Sequence, residues 1–91
     1  MSKKTDIRSR LVTAVHQEIA RRQRACAALA SCDLEVCRAA VSVFGDIRAA
    51  AYWLTDGLGA GRKAPAVMAQ TAAGRRAVMR ALAQIEHGVF Q

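Results

Sequence analysis

Two histidines, three cysteines and a glycine-rich segment ending in two cations are the residues of this chain whose types could do chemistry. An imidazole works as an acid, a base or a nucleophile's partner only with a hydroxyl, thiol or carboxylate in reach. The sequence places none to work with His16 or His87, and His87 reads instead as a last-turn residue that suits the helix dipole. Cys26, Cys32 and Cys37 are odd in number, and their CxxxxxC and CxxxxC spacings fit neither a zinc knuckle nor a redox CxxC pair. They read as small buried thiols of a reducing compartment. In GLGAGRKAP, residues 57–65, three glycines precede a helix start, the setting in which backbone amides cradle phosphate. Yet Gly57 and Gly61 are only three residues apart, Arg62 intervenes before Lys63, and no Ser or Thr follows. The segment reads as a flexible exposed loop. Nothing here calls for a catalytic residue, a metal or a cofactor.

Charge offers more. Of the formal net charge of +7, residues 1–24 hold seven basic against two acidic side chains, a net +5. A basic stripe draws phosphates or an acidic partner. No aromatic side chain interleaves these charges to stack on bases, so a solvated helix face explains them as well. Residues 1–11, MSKKTDIRSRL, lack the apolar run of a signal peptide, and no window approaches the ~20 apolar residues of a membrane span. The expected location is the cytoplasm, with no membrane partner.

The elements that would carry these residues are helices. At 91 residues, one domain with a modest core is expected. Alanine-rich composition, a single proline at Pro65 and no alternating β-branched run make the fold class all-α: a small bundle of four to five helices led by a long basic one. Ile7, Leu11, Val15 and Ile19 recur every four residues, with Val12 adjacent, on a helix over about residues 5–24 whose continuation reaches Leu29. So thin a core leaves this stripe to be covered by another copy of the chain, and a homo-oligomer is expected. Ser31 or Asp33 can cap a second helix, in which Leu34, Val36, Cys37, Val41 and Phe44 lie on buried rows, and Gly45 ends it. Asp46 caps a third, with Ile47, Ala50, Ala51 and Leu54 on adjoining turns and Trp53 beside them, closed by Thr55, Asp56 and Gly57. Phe44 and Trp53 read as core anchors, with an interface role for Trp53 as the alternative. Pro65 opens a short helix to Ala69. Thr71 caps the last helix, in which Val78, Met79, Leu82 and Ile85 face in and Arg75, Arg76, Arg80, Gln84 and Glu86 face out, before Gly88 releases an apolar tip, Val89 and Phe90.

Residues 34–90 resemble the C-terminal toxin-binding domain of the Xre/MbcA/ParS-like antitoxins. The resemblance is carried by Phe44-Gly45-Asp46 at a helix end, then Ala50, Ala51, Trp53 and Leu54 on the next helix. A loop leading to Pro65, a Thr71-x-x-Gly74-x-x-x-Val78 helix start and an Ile85-Glu86-x-Gly88-Val89-Phe90 ending complete it. Two departures stand out. Ala60, Gly61 and Arg62 occupy the places where the family loop has a leucine and two glycines, and the 33 residues before Leu34 are too few for the usual helix-turn-helix DNA-binding module. DNA-binding autoregulation is therefore not carried over.

Charge and periodicity make residues 1–32 a basic amphipathic helix, and the resemblance implies residues 33–91 as a toxin-binding domain. It implies an antitoxin, not an enzyme, whose partner is a RES-type toxin that consumes NAD or transfers its ADP-ribose. Inhibition would be steric, with Gly88, Val89 and Phe90 obstructing the toxin's cleft and Arg75, Arg76, Arg80 and Glu86 as neighbours on the last helix. Phe90 could equally fold back onto Trp53 or Leu82. The rival reading is a small basic DNA-binding or transcription-regulating protein that uses its first helix.

Overall fold

Short polar side chains and single glycines set the helix limits of this chain. The structure, a computed structural model, describes residues 3–56 and 63–88, and these form five helices with no strand among them: α1 (Lys3–Ala30), α2 (Leu34–Phe44), α3 (Ile47–Thr55), α4 (Pro65–Met68) and α5 (Ala72–Glu86). The carboxylate of Asp33 accepts from the Glu35 amide at 2.9 Å and starts α2, so Asp33 rather than Ser31 is the cap. Gly45 ends α2 in the left-handed region at φ 69°, its amide donating to the Val41 carbonyl at 2.7 Å. Asp46 then caps α3 through the Ala49 amide at 2.9 Å. Pro65 opens α4, where a missing N–H is no loss, and the Thr71 hydroxyl caps α5 by accepting from the Gly74 amide at 3.0 Å.

The α4–α5 corner is unusually tight. A Cβ built on Gly74 would overlap the backbone carbonyl of Met68, so only glycine lets the two segments approach this closely.

The helices pack α2 against α3 and α5, α4 against α3 and α5, and α1 against α3 and α4. Val36, Ala40, Ala50, Leu54, Ala66, Ala69, Val78 and Leu82 form the core with Ala28 of α1. Five of these nine are alanines, which bring helix axes close but bury little area. The larger members, Val36, Leu54, Val78 and Leu82, carry the transfer free energy, about 1.5–3 kcal/mol each. Phe44 and Trp53, both half-buried, seal one edge with ring centroids 5.7 Å apart at a 43° tilt.

Two apolar residues of the expected inner rows lie outside them. Leu34 is 65% exposed and Ile47 68% exposed, because each is the first residue of its helix, just after the cap and before the helix enters the bundle. On α5, Val78 and Leu82 are buried and Met79 and Ile85 half-buried, as the periodicity requires.

Helix α1 is longer than its amphipathic stripe. Its 28 residues span about 42 Å at 1.5 Å per residue, and every side chain from residue 6 to 19 is exposed. Only its final third joins the bundle, with Ala25 and Ala28 buried and Leu29 packed on the core. Ile7, Leu11, Val12, Val15 and Ile19 are 49 to 64% exposed.

Candidate functional site

The Thr71 cap and the Gly74 contact fix where α5 starts and which way its faces point. Val78 and Leu82 hold one face in the core, so Arg76 and Arg80, one turn apart, project together from the opposite face, and both are exposed. Arg75, a third of a turn away from Arg76, is half-buried along the flank. Glu86 is exposed at the far end, about 16 Å along the axis from Arg75. The four charged residues therefore divide into one pair, Arg76 and Arg80, and two separate positions. None of them forms an ion pair with a described residue. Gly88 follows with φ 71°, its amide donating to the Ile85 carbonyl at 3.2 Å, a left-handed residue of the kind that terminates helices. Val89 and Phe90 lie outside the described residues.

A second charged group, formed between α1 and α3, has no signature in the sequence. Arg21 Nη2 reaches Glu18 Oε1 at 2.6 Å and Asp56 Oδ1 at 3.5 Å, and Arg22 Nη1 reaches the same Asp56 oxygen at 3.4 Å. The Arg22 guanidinium also stands 5.5 Å from the Tyr52 ring centroid. The hydrogen bond from Arg21 holds the exposed Glu18 carboxyl below its ordinary range. Arg21 Nη1 is buried with no hydrogen-bond partner among the described residues, and exposed ion pairs contribute about 0–1 kcal/mol, so this latch orients α1 more than it stabilises it. Thirty-four residues separate Arg22 from Asp56, beyond any local pattern.

Cys32 and Cys37 have a structural explanation, whereas Cys26, expected to be a buried thiol, is exposed because its side of α1 faces away from α3 and α4. Cys32 immediately precedes the Asp33 cap and Cys37 is the fourth residue of α2, the two positions that pack together as a hydrophobic staple. Burial, reinforced by the neighbouring Cys37, pushes the Cys32 thiol up to about 11, the opposite of what a nucleophile needs. No group of three or more His, Cys, Asp or Glu among the described residues could hold a metal ion.

The described residues make an all-helical domain with an exposed arginine pair, a glycine-terminated last helix, and Cys32 and Cys37 used for packing. The model of the antitoxin Xre/MbcA/ParS C-terminal toxin-binding domain matches residues 39–88, more than half of the chain, and the chain belongs to that family. It is an antitoxin domain, non-enzymatic, and its partner is a cognate toxin. No curated protein and no solved structure matches the chain. No helix among the described residues is long and apolar enough to cross a membrane.

The residues that carry the family pattern turn out to be mostly structural. Gly45 supplies a left-handed turn, Asp46 and Thr71 cap helices, Gly74 admits Met68, and Leu54 and Val78 are core. These pattern residues thus serve the scaffold.

Proposed function

We propose that this protein neutralises a RES-type toxin in the cytoplasm by docking over the toxin's NAD-binding cleft. The reading rests on membership of the toxin-binding family over residues 39–88. The α5 end of the domain suits the task. Arg76 and Arg80 stand on one exposed face without an ion-pair partner among the described residues, free to form charge-assisted hydrogen bonds with carboxylates around a cleft. Arg75 and Glu86 flank that face, and beyond Gly88 the sequence carries Val89 and Phe90, the latter an aromatic side chain of the kind that anchors in a partner's pocket. Mechanistically this is occlusion: the antitoxin needs no chemistry, only a rigid frame that keeps NAD out.

The test is NAD consumption by a RES-type toxin mixed with the chain. The wild-type chain is expected to abolish it at equimolar ratio, while the Arg76→Glu, Arg80→Glu double variant should inhibit about 10- to 100-fold more weakly, as for loss of interface arginines. Undiminished inhibition by that variant would remove α5 from the interface, and no inhibition by the wild type would remove the RES assignment. Tight binding of duplex DNA that weakens steeply with salt would support the nucleic-acid reading instead.

A further inference from the structure

We infer that the free half of α1 is a dimerisation element that pairs antiparallel with α1 of a second copy of this chain. Ile7, Leu11, Val15 and Ile19 lie four residues apart along one exposed ridge, the kind of row that interdigitates with a neighbouring helix. Lower on the same helix, α3 and α4 already cover Ala25, Ala28 and Leu29, and the apolar side continues into the exposed stripe without a break in the helix.

Charge selects the occupant and its direction. Beside the ridge runs a second row of four-residue spacing, Asp6, Arg10, Ala14, Glu18 and Arg22, and its signs alternate about Ala14. In an antiparallel pair, equivalent flanking rows face each other, as they do in antiparallel coiled coils. A two-fold axis near Ala14 then sets Arg10 against Glu18 of the other copy, twice, the exposed Glu18 carboxylate accepting from Arg10 beside the bonds it already accepts from its own Arg21, while the small Ala14 side chains meet between the helices. Above and below, Ile7 packs on Ile19 and Leu11 on Val15. A parallel pair would instead bring Arg8 of one copy beside Arg10 of the other, like charges that repel. A partner of uniformly acidic rim would leave Glu18 against its own sign. The row is self-complementary, which is the requirement of a symmetric interface.

The contact is short, about 18 Å from Ile7 to Ile19, so a weak dimer with a dissociation constant on the order of 10 µM is expected. Sedimentation equilibrium of the full chain over about 1–200 µM, a range bracketing that constant, tests this. Wild type should pass from monomer to dimer, and Leu11→Glu and Arg10→Glu should each remain monomeric with helicity unchanged. Mixing Arg10→Glu with Glu18→Arg should restore a one-to-one heterodimer, because each copy then offers the charge the other lacks. A monomeric wild type across the range would overturn the inference, as would a dimer indifferent to Leu11→Glu. A dimer that forms but is not rescued by mixing would overturn the antiparallel register. A wild-type monomer that dimerises only on duplex DNA would assign the face to nucleic acid. Each outcome is read without toxin and so stands apart from the inhibitory role.

Discussion

At Gly74 two effects of opposite sign compete. Alanine is the better helix former by about 1 kcal/mol, so on propensity alone Gly74→Ala should stabilise α5. The new methyl group, however, would overlap the Met68 carbonyl, a backbone atom that also receives the Thr71 amide at 3.4 Å and the Thr71 hydroxyl at 3.5 Å and so has nowhere to rotate. Relief requires α4 to shift away from α5. Overpacking of this kind costs about 1–3 kcal/mol, and here it distorts a cap as well. The steric effect wins, and the melting temperature of Gly74→Ala should fall by about 5–15 °C for a domain of this size. An increase in melting temperature would mean that the corner relaxes freely and that the glycine serves some other end. Gly45 is a useful contrast, because its position is open, with nothing within 4 Å of an added Cβ, yet its φ of 69° strains any other residue. The two glycines are required for different reasons, one by sterics across the corner and one by its own backbone.

Helix α1 divides between two roles at about residue 20. Before it every described side chain is exposed, and after it Ala25 and Ala28 are buried and Arg21 and Arg22 reach Asp56. Deleting residues 1–19 should therefore leave cooperative unfolding intact, with a melting temperature within a few degrees when compared below the dimer's dissociation constant. Deleting residues 1–30 removes the cover of α3 and α4 and should abolish the transition in circular dichroism. Equal damage from both deletions would make the whole of α1 part of the fold. Much of this architecture was legible. The limits of α2, α3 and α5 followed from Asp33, Gly45, Asp46 and Thr71, because capping is chemistry between near neighbours in the chain. What was not legible depends on distance or on small size. An alanine that packs, such as Ala25 or Ala28, looks like an alanine that does not. Leu34 and Ile47 read as core because periodicity does not reveal that a helix's first residue stands clear of the bundle. The Arg22–Asp56 latch joins residues that no spacing relates. On the candidate site, the outward direction of Arg76, Arg80 and Glu86 was readable from the inward one of Val78 and Leu82, but the separation of Arg75 and Glu86 from the arginine pair needed the folded helix.

For the molecule as a whole, inhibition by occlusion demands that the obstructing end be held still. Five alanines among the nine core residues bring the helices close, and the Phe44–Trp53 pair closes one edge, so the frame that carries α5 is close-packed although it buries little. The last helix is finished by its own bonds: the His87 amide donates to Ala83 at 3.0 Å and the Gly88 amide to Ile85 at 3.2 Å. Truncation after Gly88 keeps both bonds and removes only Val89, Phe90 and Gln91. If these residues serve the toxin, the truncated chain should melt within a few degrees of wild type and keep its helicity, yet fail to rescue growth when the toxin is expressed. Should it instead lose more than a few degrees, about 1 kcal/mol for this size, Phe90 belongs to the core, packed back toward Leu82 or Trp53. Full rescue at unchanged stability would remove the tip from the mechanism altogether and leave occlusion to the face of Arg76 and Arg80, where the double charge reversal would then have to abolish rescue by itself.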